Sequence, residues 1–342
     1  METFPGFPGE SLMRTVVLSI IIVHFKTPEL TLQCLRSLRE FSPQVAHEIF
    51  LIDNGSKDGV GGMVAKEFPG IRILEIGRNE GFGRANNRGI QASRGRYILL
   101  LNSDAKLIMP SPDTMIHYLE TQPGVVAVGP REIDKRGRFR PSTGAFPGLF
   151  SELTRKIHHA HLLKGDEALR NRLDLQNSAA KTVDWASGFC IMVQREALLK
   201  TGLFDENFFL YFEDIDLCAR LRRLGGEVHY LPETTVVHES GASTVHRRLE
   251  VSMEYRRSQI YFARKYYGLA GEFLTRVYLF LKYLDGGILL CLEWCGQKVF
   301  RIDTSKSVEC LRLFSRVMKL LFSGVPGVPV EPTLEKPSGG IS

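Results

Sequence analysis

The sequence predicts an α/β fold with a mostly parallel central sheet and a helical extension towards its C-terminal end. Three observations carry that expectation. Short runs rich in Val, Ile and Leu alternate with helical patterns over residues 16–102, as βαβ units do. The runs are continuously apolar rather than alternating, which suits strands covered on both faces. His24, Asp53 and Asp104 fall where such runs end, and open α/β sheets bind their ligands at the carboxyl ends of strands.

Each element has a local reason. Residues 1–14 carry Pro and Gly without the basic stretch and apolar run of a signal peptide, and read as a flexible lead. Residues 16–25 form the first buried strand. Thr27 is the expected cap of the next helix, with Pro28 at its first position and Leu30, Cys34, Leu35 and Leu38 on one stripe. Residues 48–53 and 71–76 read as strands, 86–92 as a helix and 96–102 as a fourth buried strand. Residues 131–182 turn polar, basic and turn-rich with no strong strand; 155–175 suit a helix. That stretch reads as an insertion, a candidate lid, within a domain spanning 15–249. Its His158, His159 and His161 suit a solvated helix face better than a metal site, since no carboxylate lies nearby in the sequence. Cys190 to Val193 reads as a further core strand.

Residues 250–323 are helical in pattern. Apolar blocks alternate with Arg276, Lys282, Asp285, Glu293 and Lys298, then with Arg312, Arg316 and Lys319. No window reaches roughly 18 uninterrupted apolar residues, so a spanning helix is not expected. Basic amphipathic helices can lie on a membrane surface, pack on the core or form a homodimer interface. Residues 324–342 are rich in Pro and Gly and read as a disordered tail.

Hydrophobic residues make up 44% and charged residues 24% of the 342, which suits a folded globular chain with a sizeable core. The net charge of +6 favours anionic partners such as a nucleotide diphosphate, a lipid phosphate or a membrane surface; nucleic acid is not expected. The six cysteines show no paired spacing and read as reduced core thiols, which points to a cytoplasmic location, free or peripheral on the inner face of the cell membrane.

Three segments carry chemistry. Leu100-Leu101-Asn102-Ser103-Asp104 runs a buried strand into an acid that can bind a hard divalent ion, although such a sequence alone is more often a turn. Glu213-Asp214 opens a helical pattern with Ile215, Leu217 and Leu221 inward. A helix dipole favours carboxylates there and keeps one ionised, as a base requires; the same acids also serve merely to start a helix. His238 ends a short apolar strand, and its neutral imidazole can join Asp104 on a metal.

Together with Ser19-Ile20-Ile21-Ile22-Val23-His24-Phe25, Asp53-Asn54-Gly55-Ser56, the Asn79 to Gly89 stretch, Asp184-Trp185-Ala186-Ser187-Gly188, Gly202 to Phe209 and Glu213-Asp214-Ile215-Asp216, and with His238, Gly241 and Ser243, these segments resemble the family 2 glycosyltransferases of GT-A fold. The rhamnosyltransferase-like branch is the nearest in pattern, and the resemblance covers about residues 15–268. It implies an inverting transfer of a sugar from a nucleotide-diphosphate donor to a hydroxyl of a saccharide or polyprenyl-linked acceptor, in cell-surface polysaccharide synthesis. It implies Asp53 at the base of the nucleotide and His24, Phe25 and Thr27 lining that pocket. Asn79, Gly81 and Asn87 then close over the donor, with Asn102 and Ser103 beside it. Asp104 and His238 would hold Mn or Mg, Asp214 would be the base with Glu213 beside it, and Asp184 and Trp185 would meet the acceptor. The sequence departs from the pattern at Asn102, where many members carry a second acid.

A dehydrogenase would carry a glycine-rich phosphate turn after the first strand, where this chain has Lys26-Thr27-Pro28. A nucleotidyltransferase would share the metal and nucleotide pocket without needing Glu213-Asp214 or Trp185. A non-catalytic membrane-surface assembly partner is the third reading, supported by Asn102.

Overall fold

A computed structural model describes residues 15–239, 248–299 and 305–323. The lead, the tail and the motif positions Gly241 and Ser243 lie outside the described residues. The chain begins β1 (Leu18–His24), α1 (Pro28–Glu40), β2 (His47–Asp53), α2 (Val60–Glu67), β3 (Arg72–Glu75), α3 (Phe82–Ala92) and β4 (Tyr97–Asn102). It continues β5 (Ala105–Leu107), α4 (Ser111–Thr121), β6 (Val125–Ile133), β7 (Phe139–Arg140) and β8 (Thr143–Gly144), then α5 (Leu149–Leu163) and α6 (Glu167–Leu175). Next come β9 (Lys181–Thr182), β10 (Trp185–Ala186), β11 (Cys190–Gln194), α7 (Arg195–Lys200), α8 (Glu213–Arg223) and β12 (Glu227–His238). Two long helices follow, α9 (Arg248–Val299) and α10 (Ser305–Phe322).

The main sheet runs β3-β2-β1-β4-β11-β6-β12-β5. Strands β1, β2, β3, β4, β6 and β12 point one way, while β11 and β5 run against their neighbours, so the sheet is mixed but mostly parallel. Apolar runs on both faces are explained directly. Leu18, Ile20 and Ile22 of β1 pack with Leu35 and Leu38 of α1 and Met115 of α4. Ile21 turns to the other face, against Ile90 of α3 and Leu217 and Leu221 of α8. All six parallel strands therefore deliver their carboxyl ends to one edge.

Some local readings differ from the sequence expectation. Thr27 stands at the cap of α1 but makes no capping bond, because its hydroxyl lies 3.4 Å from Ser103 Oγ across the strand ends. Residues 131–182 hold short strands as well as helices: β7 pairs with β6, β8 with β10 and β9 with β12. Gly165, with φ of 84°, separates α5 from α6, and Asp166 caps the second. Cys34, Cys190 and Cys218 are buried free thiols.

α9 breaks at Gly268, whose φ of 64° is left-handed. Before the break, Tyr261, Phe262 and Tyr266 pack on Phe208, Phe212 and Ala219. After it, Leu279 packs with Val317 and Leu321 of α10. Among the described residues, no helix is long and apolar enough to cross a membrane.

Candidate active site

A crevice of about 550 Å³ opens at the carboxyl edge of the sheet. Of the residues singled out in the sequence, Phe25, Asn79, Gly81, Asn102, Ser103, Asp104, Glu213, Asp214 and His238 line it. Its formation depends on loops meeting across the edge. Asn54 donates to Asn79 Oδ1 at 3.0 Å and to the Gly81 carbonyl at 3.1 Å, pinning the Asn79–Gly81 turn over β2. Gly81 has a φ of 90°, and a Cβ there would collide with the Phe209 carbonyl oxygen, which accepts from Phe82 N–H at 2.9 Å. The glycine thus lets the turn dock on the segment leading into α8.

The cation candidates converge. His238 Nε2 lies 3.2 Å from Asp104 Oδ1, and its other nitrogen, Nδ1, lies 2.9 Å from Glu132 Oε1. Phe189 stacks on the imidazole, with centroids 4.7 Å apart. Burial alone would push His238 down, but the hydrogen bonds to Asp104 and Glu132 outweigh it and lift the group to about 9. Two donors each about 2.1 Å from one ion sit roughly 3 Å apart, so the Asp104–His238 pair fits a divalent cation. Mixed oxygen and imidazole donors suit a borderline ion. Asn102 sits at 3.4 Å from the same nitrogen and adds no charge. Among the described residues, no three metal-binding side chains converge, so the ion would draw its other ligands from substrate and water. Glu132 is a residue sequence reasoning missed; it sits next to last in β6, a strand the sequence pattern did not mark.

Asp214 is held by the backbone. Its Oδ2 accepts from Gly188 N–H at 3.0 Å and its Oδ1 from Ile215 N–H at 2.8 Å. The turn into α8 is strained, with Tyr211 and Phe212 both at φ of 68°. Burial raises Asp214 above the ordinary carboxylate range, against those backbone bonds and the charge of Arg155. Burial, then the Asp214 charge, push Glu213 well above its ordinary value, and its Oε2 is buried without a partner. The helix dipole expected from the sequence to favour ionised acids here is joined by burial, which acts in the opposite direction on both. Arg155, on α5, was another residue the sequence did not mark.

Six expected site residues lie outside the crevice lining. His24 is wholly buried, with Nδ1 2.7 Å from Thr31 Oγ1 and Nε2 2.9 Å from Asp58 Oδ2. Thr27 meets Ser103, as above. Asp53 accepts from Ser56 N–H at 2.9 Å and shapes the turn after β2. Asn87 exchanges both amide functions with Phe204 and reaches Glu206. Asp184 pairs with Arg222 at 2.9 Å and accepts from Phe146 N–H. Trp185 donates its indole N–H to the Ala145 carbonyl at 2.9 Å.

The sheet, its crevice and the helices on both faces have the build of a GT-A-like glycosyltransferase. The model of Glycosyl transferase family 2 matches residues 19–202, more than half of the chain, and the chain belongs to that family. It is a transferase enzyme with relatives among rhamnosyltransferases. It is 30% identical over 208 residues to an N-acetylglucosaminyl-diphospho-decaprenol L-rhamnosyltransferase of Mycobacterium tuberculosis, covering 57% of this chain and 67% of that one. It is 27% identical to the rhamnosyltransferase WbbL of Escherichia coli, over 51% of this chain and 66% of that one. Among solved structures, GalNAc-T7 with UDP, GalNAc and Mn2+ superposes with a TM-score of 0.51 at 16% identity, covering 72% of this chain and 48% of that one, a likeness of fold.

Proposed function

We propose that this chain is an inverting glycosyltransferase that moves rhamnose from dTDP-rhamnose to a hydroxyl of a lipid-linked saccharide, in cell-surface polysaccharide synthesis. One observation carries the reading: a backbone-held Asp214 and the Asp104–His238 pair line the same crevice. The activities of the relatives support the sugar and the acceptor class.

Asp214 takes the proton of the acceptor hydroxyl as its oxygen bonds to the anomeric carbon. The bond from that carbon to the donor diphosphate breaks, and its electron pair leaves with the nucleoside diphosphate. A single displacement inverts the anomeric centre. Burial favours the neutral form of Glu213, which limits the like charge it places next to Asp214. A divalent cation, Mn or Mg, held by Asp104 and His238 would supply charge neutralisation for the departing diphosphate. Residues 131–182, with α5 bringing Arg155 to the crevice, would cover the acceptor side as a lid. Work at the inner membrane face follows from a lipid-linked acceptor.

The test is a thermal-shift screen of UDP-, GDP- and dTDP-sugars with Mn2+, followed by turnover with a polyprenyl-diphosphate-linked saccharide. dTDP-rhamnose should raise the melting midpoint most, and excess chelator should stop transfer. Donor binding followed by no transfer to any saccharide acceptor would overturn the reading.

A further inference from the structure

Beside the crevice lies a second cavity of about 430 Å³ between α5 and α9. Arg155, His159, Tyr211, Val251 and Tyr255 line both, so the two spaces share a wall. The second cavity is distinctly basic. Arg155, Lys156, Arg256 and Lys282 line it, and among the described residues no acid does. Glu152 is the nearby acid, and it is taken up by Arg155 and Lys156, at 2.9 and 3.4 Å. Among the described residues, Arg256 meets neutral partners, Tyr283 OH and Gln259 Oε1, both at 3.2 Å. Lys282 has no carboxylate within ion-pair distance among the described residues. The crowding of charge is visible in the titration. Partial burial, then the charges of Arg256 and Lys156, push Lys282 below its ordinary value. Burial, then Arg155 and Arg140, do the same to His159.

Clustered cations beside a reaction crevice are a receptor for phosphate oxygens, each contact being charge-assisted. Immediately before Lys282, α9 exposes Leu269, Phe273, Leu274, Val277 and Leu281 at helical spacing on one face. Exposed apolar surface joined to a basic pocket matches a molecule with a charged head and an apolar tail. We propose that this cavity binds the diphosphate of the polyprenyl-linked acceptor, with the isoprenoid chain along the exposed face of α9 and the sugar reaching past Tyr211 and Tyr255 towards Asp214. The proposal rests on the reading of the crevice as a transferase site with a lipid-linked acceptor.

The full chain is titrated with farnesyl diphosphate and with farnesol at low salt. The diphosphate should bind at least about tenfold more tightly, and inorganic pyrophosphate should compete with it. The double variant Arg256→Gln, Lys282→Gln should lose that preference, while dTDP binding with Mn2+ stays as in the wild type. Equal affinity for the two lipids overturns the proposal, as does an unchanged preference in the double variant. A matching loss of dTDP affinity would assign the cations to the donor and also overturn it. If the double variant does not fold, the wild-type comparison of the two lipids and pyrophosphate competition still decides. Farnesyl diphosphate binding without sugar transfer from any nucleotide donor would keep the cavity and reject the function.

Discussion

Lys265 Nζ lies 2.7 Å from Asp216 Oδ1, and both side chains are buried. The same ammonium is 2.8 Å from Asp205, while Arg220 and Tyr266 complete the shell around Asp216. The helix that carries Asp214 is thereby tied to α9 through a charge network rather than apolar packing alone. Removing one partner of a buried ion pair leaves an uncompensated charge, which costs about 3 kcal/mol or more. Lys265→Met should therefore lower stability by about that much in urea unfolding. A variant as stable as the wild type would show that Arg220 and Tyr266 suffice for Asp216.

Asp214→Asn keeps the side-chain shape and one oxygen but removes the proposed base. A positioned general base contributes on the order of a hundredfold or more to rate. We expect kcat to fall by at least about that factor while nucleotide-sugar binding holds, since the loss belongs to the chemical step. Full turnover in a steady-state assay would remove Asp214 from the mechanism.

In the proposed cation site, Glu132 would act through His238. A carboxylate on the far nitrogen of a ligating imidazole fixes the ring and its tautomer, and losing it costs roughly 10- to 100-fold in metal affinity. Glu132→Gln should raise the Mn2+ concentration for half-maximal activity by about tenfold or more, with nucleotide binding in the absence of metal unaffected. An unchanged Mn2+ requirement would leave His238 a structural residue.

The chemistry-bearing ends of the strands were legible because a parallel sheet sends every such end to one edge. Asp104 and His238 could be placed by that rule, and Asp214 by the helical spacing that begins at Glu213. The residues that tune them were not. Glu132 lies near the end of β6, a strand the sequence pattern did not mark, and 106 residues from its histidine. Arg155 is one cation in a polar helix, and its relation to Asp214 exists only once α5 folds over the edge. His24, Asn87 and Trp185 show the opposite failing. Their residue types suit a ligand, but long-range packing gives them protein partners that no spacing records. The state of Glu213 was not legible for a related reason: a dipole is a property of the helix and visible in its sequence, whereas desolvation depends on what covers it.

That state yields a pH prediction. Burial and the neighbouring Asp214 hold the folded pKa of Glu213 well above its unfolded value. For a group raised on folding, its contribution to stability is fully present below the unfolded pKa and is lost as pH rises through the folded one. Glu213→Gln removes that titration while keeping the volume. The amide brings its own unsatisfied hydrogen bonds, but their cost does not vary with pH. The melting midpoint of the variant relative to the wild type should therefore climb as the pH rises above the ordinary glutamate range. Calorimetry across that rise checks it, and a flat difference would mean that Glu213 ionises in the folded chain as freely as in the unfolded one.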